Sequence, residues 1–471
     1  MVPRKRLRVA FGVLLVLCVG VLASGYAGQV TGSGAVADPG TTNGPHGIAD
    51  VPADEITVVT DHKSPTVGAK LVAVGPDKDV LYYNATLDYY SDVDPSPAGK
   101  YTVTYVGSET VPKRQCDGVT SCRRMVIERL NMSTDEVDRL YSRVVPTYSG
   151  FRIPYTNRWH DVDRINDTHF AVADIERDRV FVVNTSSEII TWEWQALAHY
   201  SHDSGGPFPN DFTHLNDVEV LPDDRIMVSI RNQDEVVFIN RTTGVNESWT
   251  LGEEDNHSVL FGQHNPDYIP RSQGGPAVIV ADSHNDRVVE FQRVDGAWKQ
   301  SWEWKDARMQ WTRDADRLPN GNTLVTDTHG NRVIEINEDG EKVWSAQFNF
   351  PYDAERLGTG DESAGGPSAQ RADLAGKASI DGEAKDAESK AKTGDGGLAS
   401  LPKKTLTAVE DAIPPKLLNA ALYVTPGWFH VLEVFALIGI LLVGPTWSLA
   451  EAYWRGYRLQ LPVYRVASDE N

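Results

Sequence analysis

The chain has few cysteines, few lysines and none of the common nucleotide or hydrolase signatures. Three cysteines in 471 residues rule out a disulfide scaffold and a multi-cysteine zinc site. There is no Gly-x-Ser-x-Gly elbow, no P-loop and no dinucleotide fingerprint after a strand, and no His pair at metal-ligand spacing on a helix. No cofactor and no metal are therefore expected. Lysine supplies only 16 of the 45 basic residues, against 66 Asp and Glu, for a net charge of -21. No basic stretch exists beyond the first eight residues, so no nucleic-acid partner is expected. A surface so rich in carboxylate fits a halophilic protein, whose self-repulsion is screened by salt. Its melting temperature should fall as salt drops from molar to millimolar, and an unchanged value would contradict that reading.

Long apolar runs occur only near the two ends. Residues 9–27 carry no charge and follow Arg4, Lys5, Arg6 and Arg8, as in a signal peptide or a transmembrane anchor. Residues 428–449 form a second span, broken only by Glu433 and followed by Arg455 and Arg458. Basic flanks on both predict cytoplasmic segments at 1–8 and 450–471, with everything between outside and the lipid bilayer as a partner. Seven N-x-S/T sequons, at Asn84, Asn131, Asn166, Asn184, Asn240, Asn246 and Asn256, all fall between the spans and read as glycosylation acceptors. Cys116 and Cys122, six apart in a polar segment, suit a local disulfide in an oxidising compartment, with two free thiols as the alternative. Residues 358–400 are Gly, Ala, Ser, Asp, Glu and Lys with few large apolar side chains, a disordered tether by composition. Residues 404–422 are more apolar and read as an interfacial helix.

A repeat organises the rest. The layout that starts at Trp159-His160-Asp161 returns at His214, His264 and Arg313, spaced 54, 50 and 49 residues apart. Each unit holds three short strand-like runs and a fourth with Trp: ITWEWQ, ESWTLG, QSWEWK and KVWSAQF. Four strands per ~50 residues is the signature of a propeller blade. With two weaker units before these, KLVAVGPDKDVLYYN and YTVTYVG with RRMVIERLN, the prediction is an all-β, six-bladed β-propeller over residues 55–350, flanked by transmembrane helices.

Blade geometry gathers the unusual side chains. The loop entering an innermost strand and the hairpin after the second strand lie on one face. His160, His214, His264 and Arg313 fall at the first position, and Arg231, His284 and His329 at the second. Seven cationic or imidazole groups at one channel mouth, in so acidic a chain, indicate a pocket for an anion. Repeated Asp at strand ends reads as turn closure or blade-to-blade binding.

The run THLNDVEVLPDDRIMVSIRNQDEVVFINRTTG, with the later FGQHN, resembles the arylsulfotransferase family. Its elements are present in order: His214-Leu215-Asn216, Ser229-Ile230-Arg231-Asn232-Gln233 and Gln263-His264, with His160-Asp161 upstream. The resemblance covers about residues 55–350 and is strongest over 155–335. It implies that a channel histidine takes a sulfuryl group from an aryl sulfate and passes it to a phenol or other hydroxyl acceptor. In that scheme His264 is the nucleophile, and Arg231 and Asn216 hold sulfuryl oxygens. His214 or His160 moves the proton, while Arg313, His284 and His329 line the substrate site. The membrane spans, the shorter loops and the acidic composition depart from the family pattern and leave the acceptor open. The competing reading is a non-catalytic cell-surface adaptor, for which His, Asn and Arg at one mouth have no use. A channel-centred lyase or lactonase would need metal-binding carboxylates there.

Overall fold

Runs such as Ala277–Asp282 and Arg179–Asn184 are short, β-branched and bounded by turn residues, and each is a strand in the computed structural model. Described residues are 3–31, 42–62, 68–119, 121–146, 159–209, 211–306, 308–374, 413–426 and 429–455. They form two units. In one, the helices α1 (Arg4–Thr31) and α3 (Val431–Trp454) pack on each other. Arg8 is ion-paired with Glu451, and the Phe11 and Trp447 rings stack at 6.0 Å. Segments Arg4–Ala27 and Val431–Trp454 are long and apolar enough to cross a membrane.

The other unit is the six-bladed propeller. The described residues form six antiparallel sheets, four of them with four successive strands from the centre outward and two, those of Pro351–Arg356 and Leu215–Val220, with five. The innermost strands are Pro351–Arg356, Tyr89–Pro95, Trp159–Asn166, Leu215–Val220, His264–Ile269 and Thr312–Arg317, numbered here as blades 1 to 6. Blade 1 is shared between distant parts of the chain. Its innermost strand pairs with Thr57–Asp61, joining residues 57 and 356. The sequence reading stops the propeller at 350 and starts a tether at 358, and both bounds need correction. Residues 351–356 close the ring, and Ser363, Ser368, Ala369 and Leu374 are buried beyond it. Residues 375–400 lie outside the described part.

Blades are held together by polar groups as well as by apolar clusters. The Trp192 indole donates to the Arg241 carbonyl at 2.9 Å, Trp304 to Gly340 at 3.1 Å and Trp344 to Pro76 at 3.0 Å, each reaching the next blade. At the channel, Asp161 accepts the Val218 N–H at 2.8 Å and Asp353 the Val93 N–H at 2.8 Å, so these aspartates do bind blade to blade. In three blades an Asp ending the second strand clamps an Arg five residues on: Asp174–Arg179, Asp282–Arg287 and Asp327–Arg332, at 2.7–2.9 Å. Losing one partner of such a buried pair costs about 3–5 kcal/mol. The clamps fix the second hairpins, two of which carry His284 and His329.

Each sequon asparagine accepts a hydrogen bond on its Oδ1 from the Ser or Thr two residues on, from backbone N–H, hydroxyl or both. These are Asx turns, which explains why N-x-S/T recurs at hairpins whether or not a glycan follows. Asn84 departs from the sequence reading: its side chain is buried and also accepts from the Tyr90 hydroxyl at 2.9 Å, so no glycan fits it in the folded protein. Cys116 and Cys122 are bonded, with Cα atoms 5.5 Å apart.

Candidate functional site

A bulge at the entry of three consecutive innermost strands turns their first residues into the channel. His214, Asn265 and Trp311 there have φ of 49°, 31° and 53°, a left-handed region that His and Asn enter more readily than most residues and that a bulky Trp adopts only when its surroundings impose it. Around them a ring cluster forms. The Tyr352 phenol stacks on His62 at 3.8 Å between centroids, and its hydroxyl lies 2.6 Å from His160 Nδ1. His160 is 6.1 Å from His214 and 5.7 Å from His62, and His264 is 6.3 Å from both Tyr352 and Trp311.

His264 is buried at the channel wall rather than in a solvent-facing loop. Its Nδ1 is 2.8 Å from the Ser283 hydroxyl, which itself donates to the Ala281 carbonyl. Ser283 therefore accepts from Nδ1–H, and the lone pair sits on Nε2. Burial, followed by the charges of Arg313 and Arg231, holds this imidazole well below its ordinary pKa, so it is neutral at pH 7. Arg313 lies 4.2 Å above the Trp311 ring and 4.7 Å above Tyr352, and donates to His62 Nδ1 at 3.1 Å. Burial brings it down to about 10, which leaves it charged. Arg231 has its Nε buried with no partner. His214 Nδ1 is 2.6 Å from Asp211. Burial works to raise the Asp211 carboxyl, but His214 and Arg231 outweigh it and hold it below the usual carboxylate range.

The remaining expected residues fall in two places. Asn216 is buried, and its amide donates to the Gln263 carbonyl at 3.0 Å. It thus braces the residue before His264, whereas the sequence reading has it facing a sulfuryl oxygen. His284 and His329 stand at the rim beneath α2 (Pro415–Val424). Asn419 of α2 donates to His284 Nδ1 at 3.1 Å and accepts from Gln310 at 3.0 Å, and Tyr423 meets Phe350 edge-on at 5.6 Å. The helix expected at 404–422 as an interfacial segment is therefore this short one, packed on the propeller; residues 404–412 lie outside the described part. Its buried Asn419 is spent on the rim.

Residues 158–349 match the arylsulfotransferase (ASST) family. The matched segment holds His160, His214, Arg231, His264 and Arg313, and the match supports a sulfotransferase-like function. No curated protein matches the chain. Among solved structures, the periplasmic gluconolactonase of Pseudomonas aeruginosa is 13% identical, covering 64% of this chain and 99% of its own, with a TM-score of 0.42. Virginiamycin B lyase from Staphylococcus aureus is 8% identical, covering 63% and 85%, with a TM-score of 0.36.

Three residues at the mouth lie outside the arylsulfotransferase domain match and outside the sequence reading: His62, Tyr89 and Tyr352. The signal for two of them was present. Asp61-His62 ends a second strand as Asp282-Ser283-His284 and Asp327-Thr328-His329 do, and Tyr352-Asp353-Ala354-Glu355 repeats the pattern of Arg313-Asp314-Ala315-Asp316. Below the mouth the same pattern lines the channel with acid. Asp92, Asp161, Asp217, Asp267, Asp314 and Asp353 come one from each blade, and Asp94, Asp163, Glu219, Asp316 and Glu355 follow two residues deeper; all are buried. Burial first, and then neighbouring carboxylates, raise Asp92, Asp94, Asp217, Asp314 and Asp316 well above the ordinary range. The channel is cationic at one end and acidic along the rest.

Proposed function

We propose that the propeller is an aryl sulfotransferase working through a sulfohistidine at His264. The observation that carries this reading is a neutral imidazole whose Nδ1 is held by Ser283 and which burial, with two nearby arginines, Arg313 and Arg231, keeps unprotonated. In the first half-reaction Nε2 attacks the sulfur of an aryl sulfate, the S–O(aryl) bond breaks, and an N–S bond forms. Arg231 and Arg313 stabilise the charge on the sulfuryl oxygens. The departing phenolate, whose conjugate acid has a pKa of ~10, takes the Nε2 proton of His214 in its imidazolium form, which ionised Asp211 stabilises through Nδ1–H, leaving His214 neutral for the second half. In the second half the acceptor hydroxyl returns a proton to His214 while its oxygen attacks sulfur, and the N–S bond breaks. His160, bonded to Tyr352, is the alternative proton carrier. Asn216 fixes the backbone before the nucleophile.

Incubation with an aryl sulfate, followed by intact-mass measurement, should show a sulfuryl adduct that disappears when a phenol is added. No adduct and no transfer with any of a panel of aryl sulfates would favour the adaptor reading.

We further propose that α1 and α3 anchor the propeller outside the cell membrane. Support comes from two apolar helices with basic flanks and from a disulfide in the intervening part. Protease added to intact cells should cut within 375–412 and release the propeller; survival of that segment while other surface proteins are digested would refute the orientation.

A further inference from the structure

Most channel carboxylates have an evident task, since Asp92, Asp161, Asp353 and Glu219 each accept a backbone N–H from the next blade. Asp316 has none. It is 1% exposed, and neither of its oxygens receives a hydrogen bond from an N–H or hydroxyl donor; its side-chain partner is another carboxyl, that of Asp267. One oxygen each of Asp267 and Asp314 is equally buried and without such a donor. Among the described residues no Lys or Arg forms an ion pair with these three, and the neighbouring Arg317 is turned to Glu290 instead, at 3.2 Å.

We propose that this part of the channel is a binding site for a divalent, oxygen-preferring cation of the calcium kind, centred on Asp316. Oxygens of Asp267, Asp314 and Asp316 lie within 4.8 Å of one another, and so do those of Asp316, Glu355 and Glu362. Ligands held at roughly 2.3–2.6 Å from one Ca²⁺ can be no more than about 5 Å apart, so either group can close on a single ion. An all-carboxylate donor set with no imidazole or thiolate selects a hard cation over zinc or copper. The contributing strands belong to blades 5, 6 and 1, with Glu362 on the turn Glu362–Gly365 that packs against the innermost strands of blades 5 and 6. The ion would tie the innermost strand of blade 1 to those of blades 5 and 6, beside the ring-closing seam. This site does not depend on the chemistry proposed for the mouth, and it stands or falls separately.

The test uses the full chain in detergent, stripped with a chelator and held in about 2 M KCl, so that binding to the acidic surface is screened. CaCl₂ alone is then titrated, with melting temperature and bound metal as readouts. Saturable binding near one equivalent should raise the melting temperature by at least about 5 °C. Asp316→Asn should abolish that rise. If this variant does not fold, Glu355→Gln should still weaken Ca²⁺ binding at least about tenfold. The proposal is overturned if stripped wild type shows no saturable response up to about 10 mM Ca²⁺, a range that includes the weakest calcium modules. It is equally overturned if Asp316→Asn responds as wild type does, or melts higher than the Ca²⁺-loaded protein without responding; a carboxyl cluster that merely shares protons would behave in this second way.

Discussion

His264→Ala should lower sulfuryl transfer by at least about four orders of magnitude and remove the covalent adduct, as expected when an enzyme loses its nucleophile. The variant should still fold. The imidazole lines a polar channel, makes one side-chain hydrogen bond, to Ser283, and touches Tyr352 and Trp311 only at 6.3 Å between ring centres. Water can fill the space and satisfy Ser283. His169→Ala is the matched control. His169 starts a second strand at the opposite end of its blade, against Asn166 and Asn184, and its loss should leave transfer near wild type. Full transfer by His264→Ala would assign the wrong nucleophile, whereas loss of both adduct and native circular dichroism would point to a structural role.

Arg231→Ala should cost on the order of 3 kcal/mol of transition-state stabilisation, or about a hundredfold in rate. It should also change the pH profile in a defined direction. The reactive form of His264 is the neutral one, and burial with two guanidinium neighbours holds its pKa well below 6.5. Wild-type activity should therefore persist below pH 6.5 and fail only in more acidic buffer. Removing the Arg231 charge raises the imidazole pKa, so the acid limb should move upward. Arg231→Lys keeps the charge but not the planar fork, so it should retain the wild-type limb while losing rate. A limb that is the same in all three proteins would show that Arg231 does not act on His264.

The propeller was legible because its strands are short, bounded by turns and repeated about every fifty residues, and the mouth was legible because blade geometry puts strand entries and second hairpins on one face. What escaped the sequence has physical reasons. Ring closure pairs Thr57–Asp61 with Pro351–Arg356 across the chain, and no local pattern marks a pairing of that range. Tyr352 and His62 sit on that seam, so an open reading of the blades loses both. Asn216 carries a polar side chain at the right register, but its direction is set by the Gln263 carbonyl, a contact with the following blade. Asn419 comes from beyond the repeat altogether. The acid in the channel was visible as DVD and DAD, and blade-to-blade bonds account for part of it. The crowding around Asp316 emerges only when blades 1, 5 and 6 meet.

The same seam sets the order in which the molecule can be born. Thr57 and Arg356 are 299 residues apart, and at ~5–20 residues per second a ribosome needs roughly 15–60 s to make the second after the first. Through that interval blade 1 lacks its central strand, and Pro351–Arg356 must dock against Thr57–Asp61 before the circle holds. Docking also lays Tyr352 on His62, so the mouth is finished by the same event that closes the ring. A nascent chain can hold blades 2 to 5 and still present two raw strand edges, open to pairing with another copy. Competence arrives in one step, near the end of synthesis.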